Sequence, residues 1–104
     1  MALLGNPFVA NITKQMSNDE LAQALRVDIA GELEAIIGYE AHAMATNDEN
    51  AKKVLYHIAD EERMHVGELQ QLLYMYCPRE AENNEKGKQK ILQQQAQNFQ
   101  PALQ

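Results

Sequence analysis

Ala59-Asp60-Glu61-Glu62-Arg63-Met64-His65 sets a glutamate and a histidine three positions apart in a stretch that reads as helix. Residues three apart share one helical face, so Glu62 and His65 offer a carboxylate and an imidazole to the same point. Four-helix bundles that hold two metal ions are assembled from two such Glu-x-x-His pairs and two lone glutamates on the other helices. A lone glutamate, Glu32, stands on the preceding helical stretch. The chain carries half of such a site.

The motif alone is a weak signal: three histidines among eleven glutamates in 104 residues give roughly 0.3 chance matches. Register makes it informative. If two helices fold back on each other around Thr46-Asn47-Asp48, residues whose numbers sum to about 94 stand level, because both helices rise about 1.5 Å per residue. Glu32 and Glu62 are level by this rule. So are Leu21 and Leu73, Leu25 and Leu69, Ile29 and His65, Ile36 and Ile58, and Tyr39 and Leu55. Apolar layers above and below one polar layer place the carboxylates inside the core stripe.

Boundary signals fit an all-α antiparallel two-helix hairpin. Ser17-Asn18-Asp19-Glu20 has the spacing of a capping box, in which two side chains satisfy free amides at a helix start. The first helix is expected over 18–45, with Leu21, Leu25, Ile29, Ile36, Tyr39 and Ala43 on one face and Glu32 in the gap. Thr46-Asn47-Asp48-Glu49 repeats the capping spacing and should open the second helix. That helix should end near Cys77, because Pro78 disfavours helical geometry before it and lacks an amide hydrogen. Its stripe runs through Leu55, Ile58, Glu62, His65, Leu69 and Leu73. The organisation is therefore an irregular leader over 1–16, the hairpin over 17–77, and a polar segment over 78–104. In that last segment Ile91, Leu92 and Phe99 leave room for a short third helix.

Composition narrows the class of function. Ala, Leu, Glu and Gln dominate, there is no Trp, and the chain favours helix over sheet. A net charge of -6 argues against nucleic acid as a partner, since phosphate backbones call for a Lys/Arg-rich surface. No apolar run approaches the ~20 residues that cross a bilayer, so no membrane partner is expected. The start lacks the basic and apolar regions of a secretory signal, and the single cysteine fits a reducing cytosol. Cys77 itself reads as a small packed hydrophobe rather than a nucleophile.

A two-helix hairpin cannot cover both sides of its own apolar stripe, so its open face must meet another chain. A two-fold axis would build a four-helix bundle and double Glu32, Glu62 and His65 into six ligands. Four carboxylates then balance two divalent ions. The oxygen-rich set with one imidazole per metal suits iron or manganese better than a thiolate zinc site, at the separation of about 4 Å found in cooperating metal pairs.

Duller readings stand beside these. Glu62 and His65 make a solvated helical pair if the face is not covered, and Glu32 a surface charge. Tyr39 lies about 20° from Glu32 around the helix and two turns towards the loop, close enough to touch the site but better suited to plain core packing. Glu34 points to the opposite face. Glu61 and His57 flank the stripe as solvated groups, and His42 is too far along the helix to share a metal with Glu32.

At Glu32-Leu-Glu-Ala-Ile-Ile-Gly-Tyr39-Glu-Ala-His42 and Ala59-Asp-Glu-Glu62-Arg-Met-His65 the chain resembles the encapsulated ferritins, short relatives of the rubrerythrin and ferritin group. The resemblance covers about residues 7–77. It implies a ferritin-like bundle formed between chains, with ferroxidase activity that oxidises Fe(II) to Fe(III) with oxygen. Two iron ions per subunit pair, a homodimer assembling into a decameric ring, and an encapsulin shell as partner belong to the same implication. The location implied is cytoplasmic, inside an encapsulin nanocompartment. By position Glu32, Glu62 and His65 match the family's catalytic iron ligands and Tyr39 its nearby tyrosine. Of the acidic entry site, Glu34 remains while Gly31 breaks the cluster. The C-terminus carries no clear Leu/Ile/Gly-rich docking tail. Rival readings are a non-catalytic helical oligomer holding iron, manganese or zinc at its dimer interface, and a metal-free interaction protein.

Overall fold

The computed structural model describes residues 15–99, which form three helices: α1 (Asn18–Ala45), α2 (Glu49–Tyr76) and α3 (Pro78–Phe99). All regular structure among the described residues is helical, as the composition led us to expect. The leader, apart from its last two residues, and the final five residues of the chain lie outside the described residues. No described helix is long and apolar enough to cross a membrane.

The start of α1 is the expected capping box. Ser17 Oγ accepts from the Glu20 amide at 3.2 Å, and Glu20 Oε1 accepts from the Ser17 amide at 3.0 Å. The second box is not formed. α2 begins at Glu49, so Asp48 falls at its N-cap and accepts from the Asn50 and Ala51 amides at 3.0 and 3.4 Å. Thr46 instead closes the turn by accepting from the Asp48 amide at 3.1 Å. Lys52 Nζ then reaches back to the Ala43 carbonyl at 3.0 Å, satisfying an acceptor that the end of α1 leaves free.

Pro78 ends α2 and also begins α3, since the first position of a helix needs no amide donor and suits the fixed φ of proline. Cys77 between them donates its amide to Leu73 and accepts from Glu80. The third helix is far longer than a short C-terminal turn: it spans 22 residues and runs through Gly87. Side-chain pairs four apart support it, Glu82 with Lys86 at 3.4 Å and Glu85 with Gln89 at 2.7 Å. Arg26 of α1 ties its first turn to the hairpin through two contacts to Glu80, at 2.9 and 3.2 Å.

Leu25, Ala22 and Leu73 form the core cluster, with Leu21, Ile29, Leu69 and Cys77 packed on it. Leu21, Leu25, Ile29, Leu69 and Leu73 among them fall in the layers that the register rule places level. The core is thin: among the described residues, four of the seven buried apolar side chains are alanines. Meanwhile Ile37, Met44, Met64 and Met75 are each about two-thirds exposed. Fully burying one such side chain is worth about 1.5–3 kcal/mol, which a covering surface would recover. The radius of gyration of 17.8 Å exceeds the ~13 Å of a compact chain of about 100 residues. The hairpin does not close on itself.

Candidate metal centre

Antiparallel packing of α1 on α2 brings Glu32 of the first helix level with Glu62 and His65 of the second. One ligand-type atom from each lies within 4.8 Å of the others. His65 Nδ1 is 3.2 Å from Glu62 Oε1 and 3.5 Å from Glu32 Oε2. The group sits at the rim of the packed face rather than deep within it: the side chains of Glu62 and Glu32 are 17% and 27% exposed, and His65 is half exposed. A single hairpin covers only one side of the stripe, so the layer meant for a core opens at its edge.

Electrostatics make this a strained arrangement. Hydrogen bonding with Glu32 first, then burial and the charge of Glu32, raise the Glu62 carboxyl above its ordinary value against the pull of His65. Burial lowers the His65 imidazole, but the Glu32 carboxylate and then the charges of Glu62 and Glu68 outweigh it, leaving it raised. Glu32 Oε2 is buried and has no hydrogen-bond partner. An unsatisfied buried polar atom costs about 1–3 kcal/mol, and more when charged.

That orphaned oxygen is what a cation would satisfy. Two carboxylates and one imidazole per chain carry charge enough for one divalent ion per chain. The oxygen-rich set fits iron or manganese, which prefer carboxylate and imidazole over thiolate.

The remaining candidates lie outside the group. Tyr39 is half-buried on α1 towards the loop, and Glu34 is exposed. Glu61 is exposed and pairs with His57 at 3.5 Å. Asp28 was missed from sequence. It stands one turn before Glu32, and burial followed by the Glu32 charge raises its carboxyl. The signal available was its four-residue spacing from Glu32.

Comparison with known proteins gives this geometry a family. The crystal structure of the encapsulated ferritin domain from Pyrococcus furiosus matches with a TM-score of 0.74 and 34% identity, covering 90% of this chain and 92% of that one. The chain belongs to the encapsulated ferritins. The encapsulin nanocompartment cargo protein EncC of Myxococcus xanthus is 41% identical over 76 residues, 73% of this chain and 58% of that protein. A ferritin-like-encapsulin shell fusion protein of Pyrococcus furiosus is 42% identical over 73 residues, 70% of this chain and 21% of the fusion. The chain thus spans under two-thirds of the length of either relative. A family model described as "Ubiquinone biosynthesis protein COQ7" also matches, over residues 19–97.

Proposed function

We propose that two hairpins pair about a two-fold axis and that Glu32, Glu62 and His65 of both chains hold two iron ions, where Fe(II) is oxidised to Fe(III) with oxygen as acceptor. The observation that carries this reading is the orphaned Glu32 oxygen in a three-donor cluster left open at the rim of the hairpin. Pairing covers the rim, doubles the donors and supplies cations to the buried carboxylates in one step. Burying unpaired carboxylates would otherwise cost several kcal/mol each.

The chain's own residues have distinct tasks. Glu32 and Glu62, level across the hairpin, set the spacing and the negative charge that draws ferrous ions. His65 supplies one neutral donor, held near both carboxylates, and must give up its proton before it can ligate. When bound, iron supplies the redox chemistry, one electron from each ferrous ion to oxygen. Tyr39, two turns away, is assigned to the wall of the site, and Glu61 to its acidic approach.

The relatives named as encapsulin cargo and as an encapsulin fusion support a place inside an encapsulin nanocompartment in the cytoplasm, where ferric product is stored. A ring of five dimers is the assembly inferred for this chain. Oxygen uptake on addition of ferrous salt tests the activity. Wild-type protein should consume oxygen, while His65→Ala should fall towards the buffer rate with helix content unchanged. Metal retention without uptake in the wild type would leave a binding protein and reject the enzyme.

A further inference from the structure

Where α1 meets the start of α3, the chain leaves a cavity of about 380 Å³ lined by Arg26, Cys77, Arg79, Glu80, Asn83 and Asn84. It is separate from the metal centre. Arg26 stands about 9 Å along α1 from Glu32, and Cys77 about 18 Å along α2 from His65, and the two sites share no side chain. A volume of this order falls in the range of about 300–1,000 Å³ that takes small organic molecules rather than single ions.

The cavity is charged against the sign of the chain. Arg26 and Arg79 set two guanidiniums against one carboxylate, Glu80, which leaves one net positive charge in a protein of net charge -6. Glu80 fixes Arg26 through Nε at 3.2 Å and Nη2 at 2.9 Å, and Nη2 also reaches Cys77 Sγ at 3.6 Å. Arg26 Nη1 and the whole Arg79 guanidinium have no partner among the described residues. Each asparagine spends its amide nitrogen, Asn83 on the Arg79 carbonyl and Asn84 on the Tyr74 hydroxyl, both at 2.9 Å. Their Oδ1 atoms are left as open acceptors. The lining thus offers cationic donors to an acid group and neutral acceptors to hydroxyl donors.

We propose that this cavity binds a small organic monoanion, a carboxylate on a hydroxylated carbon chain, with Arg79 taking the acid group and the Asn83 and Asn84 Oδ1 atoms accepting from its hydroxyls. The planar fork of arginine matches carboxylate and phosphate alike. Charge decides between them. One carboxylate neutralises the single surplus charge, whereas a phosphate ester, with about 1.5–2 negative charges at neutral pH, would leave negative charge in excess beside Glu80. A ligand without hydroxyls would cover the asparagine acceptors and leave them unpaired, which costs binding. None of the residues assigned to metal takes part, so this site stands or falls apart from the proposed function.

Titration of the full-length protein with gluconate, followed by ligand-observed NMR, tests the site. Saturable binding is expected in the millimolar range, as befits a ligand of this size. Hexanoate, with the same chain length and no hydroxyls, should bind about fivefold more weakly. Arg79→Gln should weaken gluconate about tenfold with helix content intact, since Arg79 is exposed. Lys88→Gln removes the same charge outside the cavity and should change nothing. No saturable gluconate binding by the wild type, unchanged binding in Arg79→Gln, an equal loss in Lys88→Gln, or hexanoate bound as tightly as gluconate overturns the proposal. So does inorganic phosphate that binds more tightly than gluconate and depends on Arg79, an outcome that assigns the cavity to phosphate.

Discussion

Glu32 Oε2 lies 3.5 Å from His65 Nδ1 across the hairpin, within the range of charge but without a hydrogen bond. With Glu62 beside them, the cluster holds two carboxylates close together and one imidazole to offset them. The repulsion this arrangement implies can be measured.

Glu62→Gln should separate stability from binding. Glu62 is raised by its hydrogen bond with Glu32 first, then by burial and the Glu32 charge; glutamine keeps a donor for that bond without the charge, so the metal-free protein should melt higher at neutral pH, by about 4 °C or less. The same substitution should abolish the rise in melting temperature that ferrous ion gives the wild type. Calorimetry with and without metal reads both. A variant that loses metal-free stability while keeping the metal response contradicts the assignment.

The pH dependence should change sign with metal. His65 is raised above its ordinary value of 6.5 in the folded chain, so its stabilisation is present below that value and lost as pH rises through the higher folded value. Metal-free protein should therefore lose stability as pH rises from 6.5 through the higher folded value. Ligation requires a neutral imidazole, so metal-dependent stabilisation should grow over the same interval. In His65→Gln the metal-free slope should flatten, and thermal melts across pH would show it.

Arg26 should matter to α3 and not to the metal centre. Glu80 is lowered chiefly by its hydrogen bond to Arg26, so its contribution is present above the ordinary carboxyl value of 4.5 and lost as pH falls through the folded value. The pair is partly exposed, which limits it to about 1 kcal/mol. Arg26→Ala should lower stability by no more than this while leaving oxygen uptake on ferrous addition intact. Hydrogen exchange in residues 78–84 should quicken in the variant. Unchanged exchange there would show that the ion pair does not anchor the helix.

Local signals made much of this legible. Ser17 and Glu20 marked the start of α1, and the level positions of Glu32 and Glu62 located the cluster, because helical rise converts sequence distance directly into height. The second cap was misplaced by three-residue spacing alone: Thr46 and Glu49 match the pattern, but the helix starts one residue after Asp48. The length of α3 was hidden because its support comes from polar pairs such as Glu82 with Lys86 rather than from an apolar stripe. Pro78 reads equally as a stop for one helix and a start for the next. The half-exposed setting of His65 was not legible either, since the degree to which a stripe is covered depends on what packs against it and not on its period.

Diffraction from iron-loaded crystals, measured on both sides of the iron edge, tests the central claim most directly. The account predicts two iron ions for each pair of chains, lying between Glu32, Glu62 and His65 of one copy and the same three residues of its two-fold mate. Iron held by one chain alone, or no iron at these residues, would contradict it.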